Sequence, residues 1–451
     1  MLDLRKFYPL AGLLFAFTAL AEQPDTLREI FWGTPNFSYA SRALPPEKLS
    51  KIGVNYVSHL FYWQNFEVAP GQWNDKFLQS QKSFIDELAA NGIVSGIRLG
   101  EAHPGAQEWN AENGKPYGGR HRKLYPGDND TDERYFRYLA FLAREFKGKV
   151  DHYVLGDELD MIYGASFRNE ERLREYFDFF TKAAAVILRE DPDAKLVVFP
   201  FAWGETVKNA KLLNDWGIGE FADGFCLNMA RTDTTSIDYL AEIASGIRAL
   251  SPDYRLYSNG FGYLSDLLPE EVQAVELAHN MIRIWQTGWN YLPYYTLASN
   301  QHPWSAGLYQ ENLVEGEISP RMALGVFERL SGLLSRQSRV SESEFAIVGI
   351  ETPFGTHSLD EFPAADIHTL WQSDGNRSFG ILKFQRSGDA RILNVTVELP
   401  EGGPNQSLRV INAVDGSVHT PEIQKDLETR RVKLQTEVRN EPLIFRWIDD
   451  S

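Results

Sequence analysis

Short apolar runs and longer amphipathic stretches alternate along the chain from about residue 29 to residue 335. Most of the apolar runs are continuous, which is typical of strands buried on both faces. The eight predicted strands are Glu29–Asn36, Asn55–Trp63, Ile93–Gly100, Val150–Asp157, Lys195–Phe201, Gly224–Asn228, Arg255–Asn259 and Tyr291–Leu297. Apolar residues at spacings of three and four indicate helices between them. The predicted helices are Phe77–Asn91, Asp132–Phe146, Asn169–Glu190, Pro269–Gln286 and Pro320–Leu334.

This order of elements predicts an α/β fold in which parallel strands close into a (β/α)8 TIM barrel. The competing arrangement is a doubly wound open sheet. No glycine-rich phosphate loop follows the first strand, so the barrel is favoured.

The pattern changes after Ser335, where short alternating strands replace the helices. Their predicted bounds are His368–Gln372, Phe379–Phe384, Ile392–Leu399, Leu408–Val414, Val432–Val438 and Leu443–Trp447. Turn sequences such as Asp415-Gly416 separate them. We therefore predict a small all-β, sandwich-like C-terminal domain, and the stretch 341–365 either leads into it or supplies its first strand.

The first 21 residues have the pattern of a secretory signal peptide. Arg5 and Lys6 precede an apolar run over Phe7–Phe17, and Ala19 and Ala21 offer small residues for cleavage. The run is short for a bilayer span, so a permanent anchor is the weaker interpretation. We expect a secreted or periplasmic protein with no membrane contact after cleavage. The predicted divisions are 1–21 for the signal peptide, 22–340 for the barrel and 341–451 for the β-domain.

Composition limits the partners and the chemistry. The formal net charge of −17 disfavours nucleic acid and anionic membranes as partners. The single cysteine, Cys226, excludes an internal disulfide, and its apolar run favours a small buried side chain. The histidines show no metal-ligand spacing, and Asp128–Glu133 lacks the glycine and the final acid of a calcium loop. No metal and no other cofactor is therefore expected, and the sequence makes no prediction about protein partners.

The working residues of such a barrel lie at the C-terminal ends of its strands and in the loops that follow. At those positions this chain carries aromatic, carboxylate and amide side chains, which suit the apolar faces and the hydroxyls of sugars. The predicted substrate-binding residues are Trp63, Arg98, Glu101, His103, Trp203, Asn228, Asn259, Tyr263 and Trp304. A carbohydrate is therefore the expected ligand. The alternative is that several of the aromatic residues only fill the barrel.

Three segments resemble motifs of clan A glycoside hydrolases of the β-xylosidase and exopolysaccharide glycosidase type. Phe61–Trp73 is similar to the strand-two signature, and Gly307–Phe327 resembles the exit from the eighth strand into the last helix. Gly156–Leu159 is similar to the fourth strand, where an Asn-Glu pair carries the general acid/base. The resemblance implies that Glu158 is the general acid, with Asp157 in the place of the usual Asn. The alternative is that these acids cap the following loop or pair with basic residues.

The seventh strand departs from the family pattern. Where the clan has a Glu followed by aromatic-Gly-aromatic, this chain has Gly260 followed by Phe261-Gly262-Tyr263. Glycine has no nucleophilic group, so a retaining double displacement through the standard residue is not available.

Three hypotheses follow from the missing nucleophile. An inverting reaction needs a second carboxylate, for which Glu205 is the first choice and Glu101 and Glu311 are alternatives. A substrate group that Asn259 orients is a second possible nucleophile. In the third hypothesis the barrel binds glycans without cleaving them. The sequence thus predicts a glycoside hydrolase acting on an oligo- or polysaccharide, with a non-catalytic carbohydrate-binding pseudo-glycosidase as the alternative.

Overall fold

The structure is a computed structural model of the 451-residue chain. It describes residues 28–35, 44–69, 71–100, 129–156, 170–201, 205–229, 237–262, 267–299, 307–312, 317–337, 340–341, 345–352, 355–357, 367–373, 378–384, 392–402 and 406–449.

Eight parallel strands form a closed barrel. They are β1 (Phe31–Pro35), β2 (Tyr56–Tyr62), β3 (Val94–Gly100), β4 (His152–Leu155), β5 (Lys195–Phe201), β6 (Gly224–Asn228), β7 (Arg255–Gly260) and β8 (Tyr291–Pro293). Each strand pairs with the next in the chain, and the pairing of Tyr291 on β8 with Phe31 on β1 closes the barrel. The predicted (β/α)8 barrel is confirmed, with β8 shorter than its apolar run suggested.

The described helices accompany these strands in the alternating order of the fold. They are α1 (Pro46–Lys51), α2 (Trp63–Phe66), α3 (Asp75–Ala90), α4 (Asn129–Glu145), α5 (Glu170–Glu190), α6 (Thr206–Asp215), α7 (Ile237–Leu250), α8 (Glu270–Thr287) and α9 (Met322–Leu333). The five predicted helices lie within three residues of their expected bounds, whereas α1, α2, α6 and α7 were not predicted. In the part of the chain that the structure describes, no helix is long and apolar enough to span a bilayer.

Short strands complete the barrel domain. Arg28–Glu29 pairs with Arg336–Gln337, and Glu67–Ala69 forms a small antiparallel pair with Gln72–Trp73. Beyond β8, a three-stranded sheet contains Ala298–Ser299, Tyr309–Asn312 and Glu317–Pro320.

The barrel interior is filled by side chains. Tyr56, Val154, Val197, Cys226, Tyr257 and Tyr291 form one buried cluster inside it. Cys226 is 2% exposed, as expected for a small packed side chain. Because this interior is occupied, a ligand site of this fold has to lie at an open end of the barrel.

The C-terminal region forms two antiparallel sheets. One has the strand order Val340–Ser341, Ile367–Ser373, Ser378–Phe384, Leu443–Asp449, Gln406–Asn412 and Val418–His419. The other has the order Gly355–His357, Ala346–Thr352, Leu393–Pro400, Arg431–Val438 and Gln424–Asp426. Leu382, Val410 and Phe445 of the first sheet share a buried cluster with Val397 and Leu434 of the second, so the sheets pack as a sandwich. All six predicted strands are present.

Helix α8 joins the two regions. Its His279 Nε2 lies 2.8 Å from the Asn440 carbonyl oxygen, and its Trp285 ring lies 5.8 Å from the ring of Phe379. The Arg329 side chain on α9 donates to the carbonyls of Ala413 and Val414. These contacts hold the sandwich against the barrel helices α8 and α9.

Candidate active site at the C-terminal end of the barrel

Arg98 on β3 is the charged residue that the described structure places inside the barrel near this end. It pairs in register with Leu60 on β2 and Val154 on β4. Since alternate residues of a strand share a face, Arg98 lies on the same inward face as Gly96. The residue is only 4% exposed. A guanidinium held in such a place can donate several hydrogen bonds in a fixed plane.

The end of β7 is irregular at Ser258–Gly260. Ser258 pairs with Leu227, and Gly260 pairs with Asn228, so Asn259 is the extra residue of a bulge. The Gly260 amide donates to the Ser258 hydroxyl oxygen at 3.0 Å, and its carbonyl accepts from the amide of Met229 at 3.2 Å. The backbone at Gly260 is therefore held firmly, with no side chain at this position.

Asn228 and Asn259 meet at this bulge. Asn259 is 2% exposed and Asn228 is half-buried at the end of β6. Bulges next to barrel rims commonly redirect a side chain. The structure thus brings two of the predicted amide residues to adjoining strand ends.

The strand-two signature proves to be a structural brace. The Trp63 indole donates to one carboxylate oxygen of Glu67, and the Gly71 amide donates to the other at 2.6 Å. Trp63 is 1% exposed and stacks on Tyr138 of α4 at 5.8 Å. Trp73 stacks on a second residue of that helix, Phe141, at 3.8 Å. In this conformation Trp63 anchors the loop after β2 to α4, and its substrate-binding role stays a prediction.

We expect Glu67→Gln to lower the free energy of unfolding by about 2 kcal/mol. The glutamine amide has a single acceptor oxygen for two donors, the Trp63 indole and the Gly71 amide, so its NH2 group must face one of them. Chemical unfolding followed by tryptophan fluorescence measures the loss. Glu87→Gln on the exposed face of α3 is the matched control and should change it by less than about 0.5 kcal/mol. Equal losses in the two variants would contradict the brace.

Glu205 immediately precedes α6 and has a left-handed backbone, φ 70°. Its carboxylate lies 3.1 Å from Lys208 Nζ, and both side chains are largely exposed. Glu311, an alternative second carboxylate, lines a polar hollow of about 310 Å³ with Gln310, Asn312 and Ser319. Glu205 is exposed after β5, whereas Glu311 is half-buried on the strand Tyr309–Asn312, and the choice between them stays a prediction.

The other predicted site residues lie outside the described residues. They are Glu101, His103, Asp157, Glu158, Trp203, Tyr263 and Trp304. For Glu158, the described part of β4 and its exit ends at Gly156, two residues earlier. Within the described ranges, no group of three His, Cys, Asp or Glu side chains is arranged to hold a metal ion.

Beneath Arg98 the barrel contains a polar group that sequence analysis did not predict. The Tyr56 hydroxyl lies 3.1 Å from His152 Nε2, and His152 Nδ1 lies 3.0 Å from Asp151 Oδ2. Burial raises the pKa of Tyr56 and lowers that of His152, so both are neutral at pH 7. The only sequence signal was His152 inside an otherwise apolar strand.

The fold matches solved glycoside hydrolases. A family 39 glycoside hydrolase from the gut symbiont Bacteroides cellulosilyticus WH2 aligns over 93% of this chain and 81% of its own, with TM-score 0.63 and 15% identity. A glucosidase from Croceicoccus marinus aligns over 94% and 96%, with TM-score 0.60 and 12% identity. A GH5_18 protein from Streptomyces cattleya in complex with GlcNAc aligns over 68% and 81%, with TM-score 0.52 and 12% identity.

At these identities the likeness establishes the fold, a closed (β/α)8 barrel followed by a β-sandwich, and not the reaction. No protein-family model and no curated protein sequence matches the chain.

Proposed function

We propose that this protein is a secreted or periplasmic glycoside hydrolase that acts on an oligo- or polysaccharide. The observation that carries the proposal is the whole-chain likeness, barrel and sandwich together, to a family 39 glycoside hydrolase and a glucosidase. The buried Arg98 and Asn259 and the half-buried Asn228 at the barrel end support it, since such polar groups bind sugar hydroxyls.

In the proposed mechanism, Glu158 is the general acid and protonates the leaving glycosidic oxygen, with Asp157 beside it. Since Gly260 supplies no nucleophile, water attacks the opposite face of the sugar ring and inverts the anomeric centre. Glu205 is proposed as the base that activates this water. The arrangement requires the two carboxyl groups to be about 6.5–9.5 Å apart in the complex with substrate.

A second candidate function is glycan binding without hydrolysis. The bulge at the end of β7 supports it, because Ser258 and Met229 fix Gly260, which has no side chain, at the position where the clan A sequence pattern has a Glu. A barrel that keeps its polar rim and lacks the second carboxylate would bind sugars and leave them intact.

Hydrolysis of a glycan panel by wild type and by Glu158→Gln tests the proposal, with binding to the same glycans measured by calorimetry. We expect wild type to release reducing ends from at least one glycan. Turnover should fall at least 100-fold in the variant, because general acid catalysis contributes about 10²–10⁴ in rate. Glu133→Gln, an exposed carboxylate on α4, is the control and should keep full activity.

The pattern of results separates the two functions. Inverted product stereochemistry, with a further loss in Glu205→Gln, supports the mechanism above. Binding without turnover by either protein favours the pseudo-glycosidase. Absence of both binding and turnover across the panel contradicts both functions.

A further inference from the structure

A buried polar bridge joins the chain segments that follow β7 and β8, which lie at the C-terminal end of the barrel. Leu268 lies between β7 and α8, and its carbonyl oxygen accepts from Gln273 Nε2 of α8 at 2.8 Å. Gln273 Oε1 accepts in turn from Arg321 Nη1 at 3.3 Å. Arg321 Nη2 donates to the carbonyl oxygen of Ser299, after β8, at 3.4 Å. We call Gln273 and Arg321, with the Leu268 and Ser299 carbonyls that they bind, the loop clamp.

The direction of each hydrogen bond in the loop clamp follows from the groups that form it. A backbone carbonyl can only accept, and a guanidinium can only donate. The Gln273 side chain must therefore turn its NH2 group towards Leu268 and its oxygen towards Arg321. Glutamine suits this place, because its amide both donates and accepts, whereas a glutamate carboxylate would offer the Leu268 carbonyl no hydrogen.

Burial makes these hydrogen bonds costly to break. Gln273 is 1% exposed, Ser299 is 6% exposed and Arg321 is 7% exposed. A buried polar group that loses its partner is not compensated by water. The planar guanidinium of Arg321 also fixes the directions in which its two Nη atoms donate. The loop clamp is therefore a rigid connection between the Leu268 and Ser299 carbonyls.

On the side of β8, the loop clamp is bonded to the base of the segment that follows the strand. Ser299 Oγ accepts from the amide of Gly307. The amide of Arg321 donates to the carbonyl of Leu308 at 3.0 Å. The residues on either side of the stretch 300–306 are thus bonded to each other and to Arg321.

We infer that the loop clamp holds the segments after β7 and β8 at a fixed separation, and that Gln273 and Arg321 are thereby positioning residues for a glycan bound at the barrel end. In the sequence, the predicted substrate-binding residues Tyr263 and Trp304 belong to these two segments, outside the described residues. The part of this inference that concerns glycan binding rests on the proposed function, whereas the coupling of the two segments does not.

Hydrogen exchange of the full chain, resolved to single amides by mass spectrometry, tests the coupling without any ligand. Gln273→Met removes both amide contacts and keeps a similar side-chain volume. We expect the amides of Gly307 and Leu308 to exchange about fivefold faster in this variant, because Arg321 loses a fixed partner. In an Arg321→Met background the same substitution should add less than twofold.

Arg283→Met is the matched control, because Arg283 is a 9% exposed arginine further along the same helix. It should leave exchange at Gly307 and Leu308 within twofold of wild type. Unchanged exchange in Gln273→Met, or equal acceleration in Arg283→Met, overturns the inference. Gln273→Met leaves every charged residue in place, so the test stands even if Arg321→Met does not fold.

Calorimetric titration with xylotetraose, cellotetraose, mannotetraose and laminaritetraose tests the consequence for the site. For a tetraose that binds wild type, Gln273→Met should raise the Kd about fivefold with unchanged stoichiometry. A substitution that only unfolds part of the protein lowers the stoichiometry and leaves the Kd unchanged. That pattern, or an equal rise of the Kd in Arg283→Met, overturns the positioning role. If no tetraose binds wild type, the proposed function loses support for these glycans, while hydrogen exchange still decides the coupling.

Discussion

Gly96→Ala is expected to lower the free energy of unfolding by about 3 kcal/mol, the largest single-methyl effect that we predict in the barrel interior. The new methyl group would overlap the His152 ring and crowd the Tyr56 hydroxyl. His152 has no free direction in which to retreat, because it is fully buried, bonded to Asp151, and in contact with the rings of Tyr257 and Tyr291. Overlap must therefore be relieved by moving strands or by breaking a buried hydrogen bond.

Equilibrium unfolding in guanidinium chloride measures this effect, with Gly332→Ala as the control. Gly332 is exposed near the end of α9, and a methyl group there would meet nothing within 4 Å. Alanine favours a helix over glycine by up to about 1 kcal/mol, so the control should gain stability. A Gly96→Ala variant with the same free energy of unfolding as wild type would contradict the close contact between Gly96 on β3 and the His152 ring.

The barrel was predictable because its signal is local. Strands such as Lys195–Phe201 are continuous apolar runs, and the structure gives β5 those bounds. The amphipathic pattern of α7 was also present, with Leu240, Ile243 and Ile247 buried at helical spacing, although sequence analysis passed over it. Helix α6 offered less, because its first residue follows a left-handed Glu205 with no side-chain cap.

The candidate site was predictable only as residue types at strand ends. Sequence spacing identified Gly260 as the departure, but the bulge that makes Asn259 the extra residue depends on register with β6. The hydrogen-bonded group of Tyr56, His152 and Asp151 could not be predicted for a similar reason. Its partners Tyr56 and His152 are 96 residues apart and meet only because the barrel closes.

The same limit applied to Glu67. The family resemblance singled it out as part of a sugar-processing signature, whereas its described contacts bind Trp63 and Gly71 within its own loop. A sequence motif therefore contains residues that stabilise the fold as well as residues that take part in the chemistry. The contacts of each side chain in the structure are needed to tell these two kinds of residue apart.

The interface between α8 and the sandwich buries more basic than acidic groups, which has a measurable pH dependence. Lys383 on Ser378–Phe384 is 2% exposed. Burial lowers its pKa to about 7, and the charge of Arg283 on α8 adds to this effect. His279 of α8 also faces this group, and burial lowers its pKa to about 3, so it stays neutral. The acid Glu276 of α8 raises the pKa of Arg283, against the larger lowering effect of burial.

Stability should therefore rise with pH across the range from about 7 to 10.5. In the unfolded chain Lys383 keeps its proton up to its ordinary pKa of 10.5, while the folded protein releases it near pH 7. Between these values the unfolded state binds more protons, so raising the pH favours folding. Below pH 7 the folded protein keeps the charge of the buried Lys383, at a cost on the order of 3 kcal/mol.

We expect Lys383→Met to be more stable than wild type by about 3 kcal/mol at pH 6, with the difference shrinking towards pH 10, because methionine fills a similar volume without a charge. Urea unfolding of both proteins at pH 6, 7, 8 and 9 gives the difference between their free energies of unfolding. The other titrating groups are the same in both proteins, so their effects cancel in this difference. Lys425→Met, an exposed lysine paired with Glu401, is the control and should follow wild type at every pH. A Lys383→Met variant that is less stable by a constant amount would mean that the ammonium is fully compensated inside the interface, and that the sandwich is held to the barrel by that charge.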